Sequence, residues 1–79
     1  MGNAGRPADT MVRVGSQVDV RAGQDEETWT IVPVRDADPM AKLISESSPL
    51  GVALLGRHPG ETVAVRGPEH YRVTIVDIR

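Results

Sequence analysis

The stretch over residues 44–56 constrains the fold most, because it predicts one short helix with both ends marked. Ser48 can cap the helix by accepting from a free backbone N–H of the first turn, and Pro49 suits the first helical position, where a missing N–H costs nothing. Gly56 can take the left-handed conformation that ends the last turn, and Pro59 prevents the helix from resuming. Apolar side chains recur at i, i+3 and i+4 on one face: Leu50, Ala53 and Leu54. Because two turns are not stable alone, we predict that this helix packs against a sheet.

The N-terminal half supplies two strands of that sheet. A strict alternation of apolar and polar residues starts at Val12, with a bulge or bend expected at residues 15–16. Its apolar side chains are predicted to face one way: Val12, Val14, Val18 and Val20. Residues 22–27 are typical of a turn that keeps three consecutive acids in water. Residues 28–34 are β-branched and aromatic and predict a second, antiparallel strand, with Pro33 at its end or at a sheet edge.

The second half of the chain supplies the remaining strands. After a polar loop, residues 42–44 predict a short bridging strand, and residues 61–66 alternate with their two valines inward. The last strand changes phase at Val76, so either a bulge lies near Val76 or that end of the strand is covered on both faces. The alternating apolar positions before and after the change are Tyr71, Val73, Ile75 and Ile78. The whole pattern predicts an α+β domain with four to five strands and one short helix packed across an antiparallel sheet.

Composition indicates a small protein without disulfides. The chain has 79 residues and no cysteine, and we expect a disordered tail over residues 1–11 and one domain over residues 12–79. No apolar run approaches the roughly 18–20 residues that cross a bilayer, and the N-terminus lacks the layout of a signal peptide, so we expect a cytoplasmic protein without a membrane partner. The formal charge of −2 and the scarcity of aromatic residues argue against direct sequence-specific nucleic-acid binding and against an aromatic-lined ligand pocket.

No set of residues in the sequence predicts catalysis. The two histidines, His58 and His70, are placed in turns without convergent metal-ligating partners. The serines before the helix lack the flanking glycines of a nucleophile turn, and capping explains Ser48. Asp36 and Asp38 are close enough in sequence to hold Mg²⁺, but acids in a loop are usually solvated. We therefore predict no catalytic, metal or cofactor site.

The sequence around the helix resembles a known family. Residues 44–66 read I-S-x-x-S-P-L-G-x-A-L-L-G-x-x-x-G-E-x-V-x-V, which resembles the C-terminal domain of the bacterial Gre transcript-cleavage factors. Residues 15–20 (GSQVDV) resemble the opening strand of that domain and residues 28–32 its second strand, and residues 37–39 (ADP) fall where the family often has A-D-P. Further residues resemble its closing strand: Tyr71, Ile75 and Ile78. The resemblance covers residues 12–79.

The resemblance implies an FKBP-like fold, with a curved antiparallel sheet and the short helix across it. It also implies a partner, because the Gre domain docks on RNA polymerase at the rim of the secondary channel, near a coiled coil in the largest catalytic subunits. The acids that stimulate transcript cleavage lie on a separate N-terminal coiled coil in that family, and the residues before Val12 contain no heptads. We therefore expect a transcription regulator that binds polymerase without stimulating cleavage and is not an enzyme.

Two residues depart from the family pattern at the helix entry. Ser47 stands where cleavage factors commonly have Asp, and Lys42 stands where the family usually has Gly. Lys42 must therefore avoid or tolerate the positive φ that a glycine permits.

We predict that one surface binds the polymerase, and we call it the docking face. It combines the acidic loop with the helix entry: Asp36, Asp38, Pro39, Ser45, Ser47, Ser48, Pro49 and Leu50. The alternative interpretation of Ser48 and Pro49 is structural, since the same residues build the helix. Two other functions stay open: a prolyl isomerase of the FKBP type, and a degenerate Gre domain that is structural or oligomerises and has another partner. We expect a monomer or a weak homo-oligomer.

Overall fold

The computed structural model describes residues 11–68 and 70–79. The predicted tail over residues 1–11 lies outside the described residues, except for Met11. The regular elements are β1 (Gln17–Ala22), β2 (Asp25–Val32), β3 (Leu43–Ser45), α1 (Pro49–Leu54), β4 (Thr62–Arg66) and β5 (His70–Ile78). Two short 3₁₀ helices, Val34–Asp36 and Pro39–Ala41, lie in the loop between β2 and β3.

The strands form one five-stranded sheet in the order β3-β2-β1-β5-β4. The α+β architecture with a single short helix is as predicted. One detail differs from the expected antiparallel sheet, because β3 pairs with β2 in parallel while the other pairings are antiparallel. A parallel neighbour requires a crossover connection of about a dozen residues, and residues 33–42 with their two 3₁₀ helices provide a connection close to that length.

The first strand is shorter than the alternation predicted. β1 starts at Gln17, and Val14, which was expected to face the core, is 43% exposed. Gly15 adopts a φ of 97°, which ends the extended run, and the Ser16 N–H donates to the Arg13 carbonyl across a tight turn. Val12, on the other side of this turn, remains in the core at 1% exposure.

The second strand starts earlier than the sequence predicted. The turn after β1 is confined to Gly23 and Gln24, and the acidic residues 25–27, expected in a turn, belong to β2. These acids are exposed, as expected, because both faces of β2 reach solvent at its start. Pro33 directly follows the last residue of β2, in agreement with its missing N–H.

The phase change in the last strand is a β-bulge, one of the two predicted possibilities. Val20 pairs with Ile75 and Asp19 pairs with Asp77, so Val76 has no partner on β1. The extra residue turns Ile78 back towards the core, where it is 3% exposed, while Val76 is 39% exposed. His70, predicted in a turn, is the first residue of β5.

Branched aliphatic side chains from all five strands and the helix form the core. The least exposed members are Val12, Val18, Ile31, Leu54, Val65 and Ile75. Leu50, Ala53 and Leu55 of the helix region pack against this cluster. Burial of this face provides the stabilisation that a helix of six residues lacks by itself.

The C-terminal end of the helix is held by the segment before β1. Gly56 has a φ of 81°, the left-handed conformation predicted for it, and its N–H donates to the Val12 carbonyl at 2.9 Å. The Val12 N–H in turn donates to the Arg57 carbonyl at 2.9 Å. This reciprocal pair satisfies main-chain groups at the helix end and ties residues 11–13 to the domain.

Candidate docking surface

The helix entry is a compact network of serines. The Gly51 N–H donates to Ser48 Oγ at 3.0 Å, as predicted for an N-cap, and the Ser48 hydroxyl donates to the Ser45 carbonyl at 2.8 Å. The Ser47 N–H donates to Ser45 Oγ at 3.0 Å. The donor and one acceptor position of the Ser48 hydroxyl are therefore engaged within the domain, which supports the structural interpretation of Ser48.

The helix backbone lies directly on β3. A β-carbon built on Gly51 would overlap the Ser45 carbonyl oxygen, and Gly51 is buried. Glycine is the residue that permits this approach, because it has no side chain to hold the two backbones apart. The position of the helix entry is thus fixed by backbone contact as well as by the cap.

The acidic loop has a fixed backbone and exposed carboxylates. The Asp38 N–H donates to the Leu43 carbonyl at 2.8 Å, and the Leu43 N–H returns a bond to the Asp38 carbonyl at 3.0 Å. Asp36 and Asp38 are both exposed, and in the described part of the chain their carboxylates have no hydrogen bond or ion pair. The loop thus presents two solvated negative charges, and the hydrogen bonds between Asp38 and Leu43 fix its main chain.

Half of the docking face lines one concave region, which we call the apolar groove. Pro39, Ser48, Pro49 and Leu50 meet there, whereas the structure places Asp36, Asp38, Ser45 and Ser47 outside its lining. The groove encloses about 470 Å³, and its other walls come from Trp29, Ile44, Val65, Gly67, Pro68 and Tyr71. Leu50, a residue of both the predicted apolar helix face and the docking face, is half-buried in this groove.

Both aromatic residues of the chain line the apolar groove, and the predicted site omitted them. Trp29 lies two residues before the buried Ile31, and Tyr71 lies two residues before the buried Val73. The alternation of a strand places residues i and i+2 on one face, so both aromatics lie on the face that packs against the helix. The spacing of two residues between each aromatic residue and a buried aliphatic residue is the sequence signal that places both aromatics on the helix-facing side of the sheet.

A second, smaller depression continues the groove towards the β1–β2 hairpin. It shares Trp29, Leu50 and Tyr71 with the apolar groove and encloses about 200 Å³. Its lining also includes two acidic residues from the start of β2, Asp25 and Glu27. The combined surface is apolar in the centre and acidic at one end.

Lys42 connects the loop to the apolar groove. It has a φ of 62°, so it tolerates the positive φ considered from the sequence. Its ammonium lies 4.5 Å from the centre of the Trp29 ring and 3.4 Å from Glu27 Oε1. The cation–π contact offsets part of the conformational strain at Lys42, because it is favourable by about 0.5–1 kcal/mol at an exposed site, whereas the exposed ion pair adds little.

The described residues contain no group of three His, Cys, Asp or Glu side chains that could hold a metal ion. His58 is exposed, and its Nδ1 lies 2.8 Å from Glu61 Oε2, which also accepts from the His58 N–H at 2.7 Å. The side-chain bond from His58, followed by the main-chain bond, holds the pKa of Glu61 below its usual range. This arrangement closes the turn between α1 and β4.

No helix among residues 11–68 and 70–79 is long and apolar enough to cross a membrane.

Related proteins match nearly the whole chain. The family model for the C-terminal domain of the GreA/GreB transcription elongation factors matches residues 7–79. Transcription elongation factor GreA of Roseiflexus sp. (strain RS-1) is 51% identical over 71 residues, which are 86% of this chain and 45% of that protein. GreA of Chloroflexus aurantiacus is 48% identical over 71 residues, with the same two coverages of 86% and 45%. The chain therefore spans less than half the length of these relatives.

Solved structures agree with the sequence matches. A prokaryotic transcription elongation factor GreA/GreB from Nitrosomonas europaea superposes with a TM-score of 0.72 at 33% identity, over 87% of this chain and 60% of that one. GreA factor homolog 1 of Thermus thermophilus shares the fold, with a TM-score of 0.79 at 23% identity over 94% of this chain and 51% of that one. The chain belongs to the GreA/GreB family of transcription elongation factors and corresponds to its C-terminal domain.

Proposed function

We propose that this chain is a binding module, not an enzyme, that docks on RNA polymerase near the rim of the secondary channel, on the largest catalytic subunits. In this proposal it modulates transcription elongation without stimulating transcript cleavage. One observation carries the proposal: Pro39, Pro49 and Leu50 of the docking face meet in a single apolar groove. The same groove holds both aromatic side chains of the chain, Trp29 and Tyr71.

The shape of the groove suggests how contact is made. Because Leu50 is half-buried, the groove is suited to receive an apolar side chain from the partner rather than to offer one. Rigid aromatic walls give a large contact area with little loss of conformational entropy. The exposed carboxylates of Asp36 and Asp38 lie on the loop beside the groove and favour a partner surface with basic residues.

The absence of cleavage stimulation in this proposal rests on the chain itself. The 79 residues contain no heptad pattern of the kind that forms a coiled coil, and the family resemblance assigns the acids that stimulate cleavage to such a coiled coil. We expect the 79-residue protein to leave the rate of transcript cleavage by stalled polymerase unchanged. Increased cleavage on adding the purified chain would contradict this part of the proposal.

Two matched substitutions on the helix test the docking site. Pro49→Glu places a charge in the apolar groove while keeping a residue that suits the first turn of a helix. Val52→Glu adds the same charge to the same helix at a side chain that is 61% exposed and lies outside that groove. In titrations with core RNA polymerase we expect Pro49→Glu to weaken binding at least about tenfold, or about 1.4 kcal/mol, and Val52→Glu to bind like the original chain.

Charge reversal of the loop provides a second test. Asp36→Lys combined with Asp38→Lys leaves the main-chain bonds of the loop in place, since those bonds use backbone atoms. We expect slower association and a weaker dependence of binding on salt concentration, because exposed charges mainly affect the rate at which the two proteins meet in solution. If Pro49→Glu and Val52→Glu bind the polymerase with equal affinity, the apolar groove is not the docking site. If the double lysine variant shows the same salt dependence as the original chain, Asp36 and Asp38 do not contribute to binding.

The prolyl isomerase alternative concerns the same groove, since Trp29 and Tyr71 provide a surface on which a proline ring could pack. An assay of cis–trans isomerisation on a proline-containing peptide separates the two functions. A binding module leaves the uncatalysed rate unchanged, on a timescale of about 10–100 s at 25 °C. Acceleration that Trp29→Ala abolishes would favour the isomerase.

A further inference from the structure

The two edges of the sheet differ in how they are covered. β3 has only three residues, and the backbone of α1 lies against it at Gly51. β4 forms the opposite edge with five residues, Thr62–Arg66, and contains no proline, no bulge and no charge before its last residue. An edge strand without such features is a template for pairing with another strand.

The pairing with β5 shows which main-chain groups of β4 remain available. The Ile75 N–H donates to the Glu61 carbonyl at 2.9 Å, and the register then pairs Val63 with Val73 and Val65 with Tyr71. In an antiparallel ladder, alternate residues bond to the neighbour, so the groups of the intervening residues point away from β5. These are Thr62, Ala64 and Arg66, and within the described part of the chain no other residue hydrogen-bonds to their main chain.

A groove runs along this open edge, between α1 and β4, and we call it the edge groove. It encloses about 640 Å³ and is separate from the apolar groove apart from Pro49, which borders both. Its helix side presents Val52 and Ala53, and its strand side presents Val63 and Ala64. The groove therefore offers unpaired backbone on one wall and small apolar side chains on both.

The charges on the edge groove have one sign. Arg57 and Arg66 both line it, and none of the described lining residues is acidic. Arg57 lies 3.6 Å from Glu61, but both side chains are substantially exposed, and exposed pairs of this kind contribute little. Arg57 is therefore available to exchange this contact for another carboxylate.

We infer that the edge groove binds an extended acidic segment of a partner protein, which adds to the sheet as a strand beside β4. Main-chain bonds to Thr62, Ala64 and Arg66 provide affinity, and alternate apolar side chains of the segment lie against Val52 and Val63. Carboxylates near the ends of the segment meet Arg57 and Arg66. This site is distinct from the proposed polymerase groove, since it uses the other side of α1 and the opposite edge of the sheet from the acidic loop.

Amide hydrogen exchange tests the inference with the 79-residue protein and a synthetic peptide. The probe is the blocked pentapeptide Asp-Val-Thr-Val-Asp, and the control is the same peptide with lysine in place of both aspartates. Saturation with the acidic probe should slow exchange at least about tenfold at the amides of Thr62, Ala64 and Arg66, because a bonded N–H exchanges only through opening. The amides of Val63 and Val65 already bond to β5 and should change much less.

Two variants distinguish binding of the acidic probe as a strand beside β4 from binding of the probe in another way. Ala64→Pro removes an outward N–H without removing a bond to β5, and should abolish binding. Arg57→Gln together with Arg66→Gln keeps the strand intact and should weaken binding of the acidic probe at least about fivefold while removing its salt dependence. If Ala64→Pro lowers the melting temperature so far that the protein is unfolded, the double arginine variant decides the test.

Three results would overturn the inference. The first is unchanged exchange at Thr62, Ala64 and Arg66 at a probe concentration of several millimolar. The second is equal binding of the acidic and lysine probes. The third is a response confined to Trp29 and Tyr71, which would place the probe in the apolar groove.

Discussion

The α-carbon of Gly51 lies so close to the carbonyl oxygen of Ser45 that no β-carbon fits between them. This contact joins the first turn of α1 to β3 by backbone alone. Glycine in a helix interior costs roughly 1 kcal/mol relative to alanine, so a glycine in a helix of six residues indicates a packing requirement. The close approach is that requirement, and it positions the first turn of α1, whose Pro49 and Leu50 line the apolar groove.

Gly51→Ala should destabilise the domain in spite of the better helix propensity of alanine. The added methyl group meets a main-chain carbonyl of a neighbouring strand, which cannot rotate away as a side chain can. We expect a loss of about 2–3 kcal/mol in the free energy of unfolding, measured by urea denaturation. Val52→Ala, at an exposed position of the same helix, is the matched control and should change stability by less than about 0.5 kcal/mol. A stabilised Gly51→Ala variant would contradict the close contact.

Ser48→Ala should remove the helix cap. The substitution deletes the acceptor for the Gly51 N–H and the donor to the Ser45 carbonyl. We expect a loss of about 1 kcal/mol in the free energy of unfolding, within the range of about 0.5–2 kcal/mol for N-caps. Ser47→Ala serves as the control because Ser47 is exposed and its hydroxyl does not cap the helix. Equal effects of the two substitutions would show that the cap contributes little.

Lys42 allows the strain of a positive φ to be measured separately from side-chain contacts. Lys42→Ala removes the contacts with Trp29 and Glu27 but keeps the unfavourable backbone conformation, whereas Lys42→Gly removes both. We expect the glycine variant to be more stable than the alanine variant by about 1 kcal/mol, the reverse of the usual order. Thermal denaturation of the two variants checks this, and an alanine variant as stable as the glycine variant would contradict the left-handed conformation.

Asp19 should make the stability of the domain depend on pH. The Thr28 hydroxyl donates to Asp19 Oδ1 at 2.6 Å, and this bond is the main reason that the pKa of Asp19 lies below its usual value. Burial opposes the shift, and the Arg79 guanidinium, 2.6 Å from Asp19 Oδ2, adds to it. A carboxyl with a lowered folded-state pKa stabilises the fold above its unfolded-state pKa, and that contribution is lost as the pH falls through the folded-state value.

Asp19→Asn tests this dependence. We expect the variant to be less stable than the original chain at about pH 6, with a difference in the free energy of unfolding that narrows as the pH falls below the usual range of an aspartate pKa and the carboxyl becomes protonated. Urea denaturation at a series of pH values measures the difference. Asp36→Asn, which removes one exposed loop carboxylate, is the control for the general effect of losing a negative charge. A difference between Asp19→Asn and the original chain that stays constant over this range would contradict the ionised role of Asp19.

The features predicted correctly from the sequence depend on local rules. Ser48, Pro49 and Gly56 mark the helix because capping and left-handed glycine act within a few residues. The bulge at Val76 is one of the two possibilities that a change of alternation inside one strand left open. The Gre family resemblance also came from a contiguous string, and the family matches confirmed it.

The features that the sequence did not reveal depend on the three-dimensional path of the connections between elements. The parallel pairing of β3 with β2 depends on the path of residues 33–42, and the backbone contact of Gly51 with Ser45 depends on how residues 46–48 turn α1 onto β3. The predicted docking face lacks Trp29 and Tyr71 because these residues lie on β2 and β5, far in sequence from the helix entry that they adjoin in the groove. The early end of alternation at Val14 had a local signal in Gly15, but a glycine in a strand indicates a bulge and a turn equally.

Polymerase docking is tested most directly by equilibrium binding of the purified 79-residue protein to core RNA polymerase from the same organism, with a full-length Gre factor added as competitor. Docking near the secondary channel predicts a saturable complex from which the Gre factor displaces the chain. The Pro49→Glu variant should form this complex at least about tenfold more weakly than Val52→Glu. Absence of a complex between the folded chain and the polymerase, or a complex that the Gre factor does not displace, would contradict docking at that site.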